Sequence, residues 1–200
     1  MSFETILEEG MSMASVDSLL ENIKSNNPDV RTAAWLSAGE VGAPALKPLA
    51  QVVARAELEV GRAALRAMWK IVRHVGNPAI PGELKVQVVN GLLSLLSGDE
   101  SNAIRREVLW MLSEVAGDES VEQISSLLKN PDLREDARMV LDRIPGAKSL
   151  SALKTALNQT ADDFKHNIAQ SLRHRGVVVP GIPERKLVPT RQTEVKPSSA

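Results

Sequence analysis

Several stretches of the chain place small or apolar residues at i, i+4, i+7, i+8 and i+11. One runs Val30, Ala34, Ser37, Ala38, Val41; a second Ile104, Val108, Met111, Leu112, Val115; a third Leu133, Ala137, Val140, Leu141, Ile144. That spacing is one stripe of an amphipathic helix. Each stretch closes on a glycine, at Gly42, Gly117 and Gly146. A looser register, Ala64, Met68, Ile71, Val72 and Val75, closes on Gly76. A last one, Phe164, Ile168, Ser171 and Leu172, fades into Arg175-Gly176, as the terminal unit of an array does. Companion helices are predicted between these, over 16–24, 46–55, 83–96, 121–129 and 150–157. Each starts near a cap or a proline and ends near Asn, Gly or Pro. No useful length alternates with period two, so no sheet is expected.

The helix starts also repeat. Asn27-Pro28-Asp29-Val30-Arg31 returns as Asn130-Pro131-Asp132-Leu133-Arg134, with weaker echoes at Ala161-Asp162-Asp163-Phe164-Lys165 and Asn102-Ala103-Ile104-Arg105. Self-similarity at this period is the signature of a stacked array, in which each unit hides its stripe against the next. Proline suits a first helical turn, where its missing N–H is no loss, and glycine suits a left-handed helix end. The expected organisation is a cap segment over 1–15, a repeat array over 16–176 and an extended basic tail over 177–200. The tail is expected to fold back on the last repeat through Val177, Val178, Val179, Ile182, Leu187 and Val188, with 190–200 disordered.

Composition narrows the class. Hydrophobic residues make up 43% of the chain but aromatics only 2%, which suits closely packed helices better than a sheet sandwich. The chain has no cysteine, which removes thiolate chemistry and disulfides and argues against an oxidised secreted scaffold. The first ten residues carry acids where a signal peptide needs basic residues and an apolar run, and the most apolar stretch, 86–96, is interrupted by Asn90, Gly91 and Ser94. A cytoplasmic protein without a membrane span is the simplest expectation. Residues 1–164 hold 17 Lys and Arg against 23 Asp and Glu, whereas 165–200 hold 7 against 2. An acidic body lacks the cationic footprint that phosphates need, so nucleic acid is a poor fit as partner.

The pattern Pro-Asp-Val-Arg-x-x-Ala-x-x-x-Ala-Gly-x-Val-Gly at 28–42 resembles the HEAT repeat, and the short spacing is similar to the phycobilin-lyase HEAT-like subgroup. The resemblance spans roughly residues 16–176. It implies an all-α, right-handed α-solenoid of about five HEAT-like helix pairs. The second helix of each pair would line the concave side, and repeat-periodic Asp and Arg residues would form a ladder between stacked units. Arg31, Arg105, Arg134 and Lys165 hold the equivalent basic position, with Asp29, Asp132 and Asp163 two residues earlier. Such repeats serve scaffolds, adaptors and some enzymes, so the resemblance speaks to fold more than to function.

Candidate chemistry is sparse. Trp35 and Trp69 stand seven residues before a closing glycine, as does Trp110, although alignment on the stripe moves Trp110 by one place. Large amphipathic rings on the second helices would be suitable partner anchors. With Arg31, Arg105, Arg185 and Lys186 they form the candidate partner-binding set. Packing roles for the rings and the ladder for the arginines are the competing readings. Asp162, His166, Gln170 and His174 recur at four-residue steps, yet no second cluster completes a metal site. No His-Glu dipeptide occurs, which separates the chain from the HEAT-like deoxyhypusine hydroxylases, and no phosphate loop, nucleophile elbow or zinc-protease motif is present. No catalytic, cofactor or metal residue is therefore assigned. The expected function is a protein-binding scaffold or adaptor. The alternatives are a tetrapyrrole-handling protein like the phycobilin lyases and, third, nucleic-acid binding as in HEAT-like DNA glycosylases.

Overall fold

The computed structural model describes residues 15–184. Ten α-helices follow one another as five antiparallel pairs: α1 (Val16–Ile23) with α2 (Pro28–Val41), α3 (Leu46–Arg55) with α4 (Leu58–Val75), α5 (Gly82–Ser97) with α6 (Asn102–Val115), α7 (Val121–Ser126) with α8 (Arg134–Arg143), and α9 (Ala147–Gln159) with α10 (Asp162–His174). Among the described residues there is no strand. The second helices touch in succession, α2 to α4 to α6 to α8 to α10, and first helices meet in their own row, as α3 with α5 and α7 with α9. Two parallel rows of helices stacked pair upon pair make an α-solenoid. The cap segment at 1–14, the residues from 185 onward, and the expected fold-back of Leu187 and Val188 lie outside the described residues.

The repeated helix starts work as local hydrogen-bond devices. Asn27 accepts from the Asp29 N–H at 2.9 Å, and Asn130 accepts from the Asp132 N–H at the same distance. The consequences differ. Helix α2 begins at once on Pro28, whereas a turn intervenes before α8 starts at Arg134. Ser15 and Ser101 cap α1 and α6 by accepting from the N–H three residues on.

The stripes are the core. Ala64, Met68, Ile71, Val72 and Val75 are buried, as are all five positions of the stripes that begin at Ile104 and Leu133, and Phe164, Ile168, Ser171 and Leu172 of the last. The first departs from the expected pattern: Ala34 and Ala38 are buried, Val30 and Val41 only half so, and Ser37 is exposed with its hydroxyl turned back to the Ala34 carbonyl. Among the described residues the second helix that packs on α2 is α4, and the small residues Ala34, Ala38 and Gly39 make the contact. The closing glycines also divide. Gly42 and Gly146 take positive φ as expected, but Gly76 stays right-handed and Gly117 is extended, its N–H captured by Glu119 Oε1 at 2.9 Å.

Helices α2 and α4 share the most extensive helix–helix contact in the fold. Small residues make it possible: Ala34, Ala38 and Gly39 are buried on α2, and Ala63, Ala64 and Ala67 on α4. A methyl group on Gly39 would sit 2.9 Å from His74 Cβ. The seam therefore has no room for even one more carbon.

Toward the C-terminus, polar struts supplement the apolar packing. Arg138, whose side chain is 13% exposed, pairs with Glu135 and donates to Ser171 Oγ on α10, while Asn167 of α10 donates to Glu135 Oε2 at 2.9 Å. Burial pushes the Glu135 carboxyl up, but the hydrogen bonds from Arg138 and Asn167 and the charges of Arg138 and Arg134 outweigh it and hold the group below its usual value. Arg175 donates to Gly146 O and Ser149 Oγ, each at 2.7 Å, and to Leu141 O. Beyond α10, Val177 and Val179 pack on the core, and Arg173 holds the carbonyls of Val179 and Ile182.

Gly39→Ala is expected to destabilise the fold by about 1–3 kcal/mol in urea unfolding, because overpacking outweighs the ~1 kcal/mol that alanine gains in helix propensity. An unchanged or raised midpoint would contradict the close seam. A carboxyl whose pKa is lowered on folding contributes stability above its unfolded pKa, and that contribution is lost as pH falls through the folded value. Wild type should thus lose more stability than Glu135→Gln on acidification from neutral to below the ordinary carboxylate range. Parallel loss in both proteins would remove Glu135 from the acid response.

Candidate functional site

The α2–α4 seam sets the spacing of two side chains that stand at equivalent points of successive repeats. Trp35 lies five residues after Val30 and Trp69 five after Ala64, so stacking the repeats brings both rings to one side of the second-helix row. Both are half-buried and pack against the core from outside. With Leu65, Arg66, Lys70 and Arg73 they line an open cleft of about 290 Å³.

Arg66, Lys70 and Arg73 follow at i, i+4 and i+7 and share one face of α4. The Arg66 guanidinium lies 5.9 Å from the centroid of the Trp35 ring, and that of Arg73 lies 5.1 Å from Trp69. These are cation–π distances, which hold the flexible arginines over the rings. Among the described residues, Arg66 and Lys70 make no salt bridge. Arg73 reaches only Glu114, at 3.9 Å and well exposed, an arrangement worth little in water. The cleft is thus an aromatic floor ringed by cations whose charge is largely unspent, on a body that is acidic elsewhere.

The other candidates are placed differently. Trp110 is 42% exposed, and its Nε1 donates to Asp136 Oδ1 of the next repeat at 2.7 Å, so it braces α6 to α8 rather than joining the cleft. Arg106 meets the same carboxylate at 3.1 Å. Arg31 is half-buried and donates to the Ser25 carbonyl at 2.7 Å, closing the α1–α2 turn. Arg105 is half-buried with its Nε lacking a partner among the described residues. Arg185 and Lys186 lie outside the described residues.

The expected Asp–Arg ladder is realised at one step. Arg134 binds Asp163 at 2.6 Å and lies 4.7 Å over the Phe164 ring, and its hydrogen bond lowers the Asp163 pKa. Lys165 turns instead to Asp162 on its own helix, at 2.7 Å. At the step below, Asp132 sits in a turn before α8; Asn102 takes its carboxylate at 2.9 Å and Arg106 its carbonyl at 3.0 Å, which leaves Arg105 without that role.

Sequence reasoning passed over Arg138, Arg175 and Gln123, whose amide donates to Leu93 O and Ser97 Oγ across repeats. A signal existed for Arg138: it lies five residues after Leu133, the position that holds Trp35 and Trp69 in earlier repeats. His174 pairs with Asp142 at 3.1 Å, and His74 covers Gly39. Among the described residues no group of three or more His, Cys, Asp and Glu side chains is placed to hold a metal. A larger space, about 590 Å³, lies between α7 and α9 on the first-helix row, bordered by Ser125, Ser126, Lys129, Arg134, Thr155 and Gln159. Glu122 also lines it, but the Ser125 and Ser126 hydroxyls donate to the carbonyls of Glu122 and Gln123 rather than to its carboxylate. No described helix is long and apolar enough to cross a membrane.

No curated protein matches the chain. A family model described as HEAT repeats matches residues 89–173, from the second half of α5 to the end of α10. The stacked helix pairs of that region are similar to HEAT repeats, and the two pairs before them continue the same solenoid.

Proposed function

We propose that this chain is a non-catalytic protein-binding scaffold or adaptor of the cytoplasm that engages its partner through the concave, second-helix face, with Trp35 and Trp69 as anchors. One observation carries the reading. Two tryptophans from different repeats converge on a single open cleft beside cations with little else to bind. Indole rings bury much apolar area at little entropic cost and dominate interface energetics when they meet in a pocket. HEAT repeats commonly serve protein interaction, which agrees with this use. In this reading the basic residues Arg185 and Lys186 supply a second contact. A bilin-handling role draws less support, because a space of about 290 Å³ admits a side chain or two and its arginines already lie over ring faces.

Affinity capture from the native host with wild type and with Trp35→Ala/Trp69→Ala tests the proposal. Each ring truncated at an interface centre costs about 2 kcal/mol or more, so the double variant should lose its specific partners by well over tenfold while keeping its helical circular dichroism. Undiminished recovery by a folded double variant would dismiss the anchors.

A further inference from the structure

The cations around the two rings say more than that something binds. We infer that the Trp35–Trp69 cleft reads an acidic peptide segment, one apolar side chain flanked by two or three carboxylates. This rests on the protein-binding reading and names the chemistry of the partner.

The apolar part of the site is small: two half-buried rings and Leu65, bounding about 290 Å³. That is space for a leucine- or phenylalanine-sized side chain. The polar part is a row. Arg66, Lys70 and Arg73 stand along one face of α4, and seven residues of helix rise spread them over roughly 10 Å. On an extended segment the side chains of one face recur every ~7 Å, so an apolar side chain that enters the cleft shares its face with the carboxylates two residues before and two residues after it, which reach the row on either side. Both guanidinium planes lie over indole rings, which orders them before any ligand arrives and lowers the entropy lost on binding.

Charge complementarity also separates a peptide from a nucleic acid. A phosphate chain needs a basic track that continues. Here the row is bordered by acids: Glu59, paired with Arg62 on the same helix, and Glu114, facing Arg73 from the next repeat. A compact cationic patch inside an acidic margin accepts a few carboxylates and turns away a long polyanion.

Fluorescence anisotropy with the full chain provides the test, using a labelled twelve-residue peptide with three glutamates on each side of a central leucine. Controls are the same peptide with glutamines, the same with lysines, and a labelled oligothymidylate. At 50 mM salt the acidic peptide is expected to bind at least about tenfold more tightly than the glutamine peptide, and 300 mM salt should erase most of that preference. Arg66→Gln/Lys70→Gln, which keeps both rings, should abolish the preference with its thermal midpoint unchanged. Equal binding of acidic and glutamine peptides, a preference that survives Arg66→Gln/Lys70→Gln, or tighter binding of oligothymidylate would each overturn the inference. The two ideas fail separately. Host partners whose capture needs Trp35 and Trp69 but not Arg66 and Lys70 would sink the acidic specificity and leave the scaffold reading; capture indifferent to the tryptophans would sink the scaffold reading itself.

Discussion

Everything at the N-terminal end of the solenoid depends on how closely α2 and α4 approach. Alanines on both helices, and a glycine where His74 crosses, let the backbones come within reach of dispersion contacts that larger residues would prevent. The seam has little bulk, so its stability comes from fit rather than from large side chains. Its spacing also decides where Trp35 stands relative to Trp69, because both rings emerge beside the stripe at the same point one repeat apart. Widen the seam and the cleft between them is lost.

The array is held in two styles. The first two repeats rely on the small-residue seam and on arginines lying over rings. From the third repeat on, polar struts carry the junctions: Trp110 and Arg106 on Asp136, Arg138 on Ser171, Asn167 on Glu135, Arg175 on the α8–α9 turn. The position that shows a tryptophan to solvent in the first two repeats holds buried Leu109 in the third and the tied-down Arg138 in the fourth. Side chains that are bonded to the next repeat have little left to give a partner. The first two repeats are thus where the periodic position is left unused by the stack.

Much of this was legible in the residues. Stripes of period 3.6 reveal which face of a helix is buried whatever it packs against, and so the five pairs, their turns and nearly all the core follow from spacing. What one helix does to the next is not written in that spacing. Trp110 looked like Trp35, but only the rotation of α8 relative to α6 gives it Asp136 to bind. Ser37 fell on the stripe yet faces solvent, its hydroxyl turned back to the Ala34 carbonyl. Gly117 read as a left-handed stop, but the Glu119 carboxylate caps the chain there and makes the positive φ unnecessary. Local pattern specifies elements; the pairing of polar groups between repeats depends on angles that the pattern leaves open.

The chain contains no cysteine, so engineered thiols can report the seam without competition. In Gly39→Cys/His74→Cys the two Cβ atoms start closer than the ~3.8 Å a disulfide wants, and a shift of under an ångström brings them to it. The native double variant should therefore oxidise readily to an intramolecular disulfide, while Gly39→Cys/Met139→Cys, which joins α2 to a helix it does not pack on, should stay reduced. Thiols at 39 and 74 that remain free in the folded protein would show that α2 and α4 do not meet as described, and the cleft built on their meeting would fall with them.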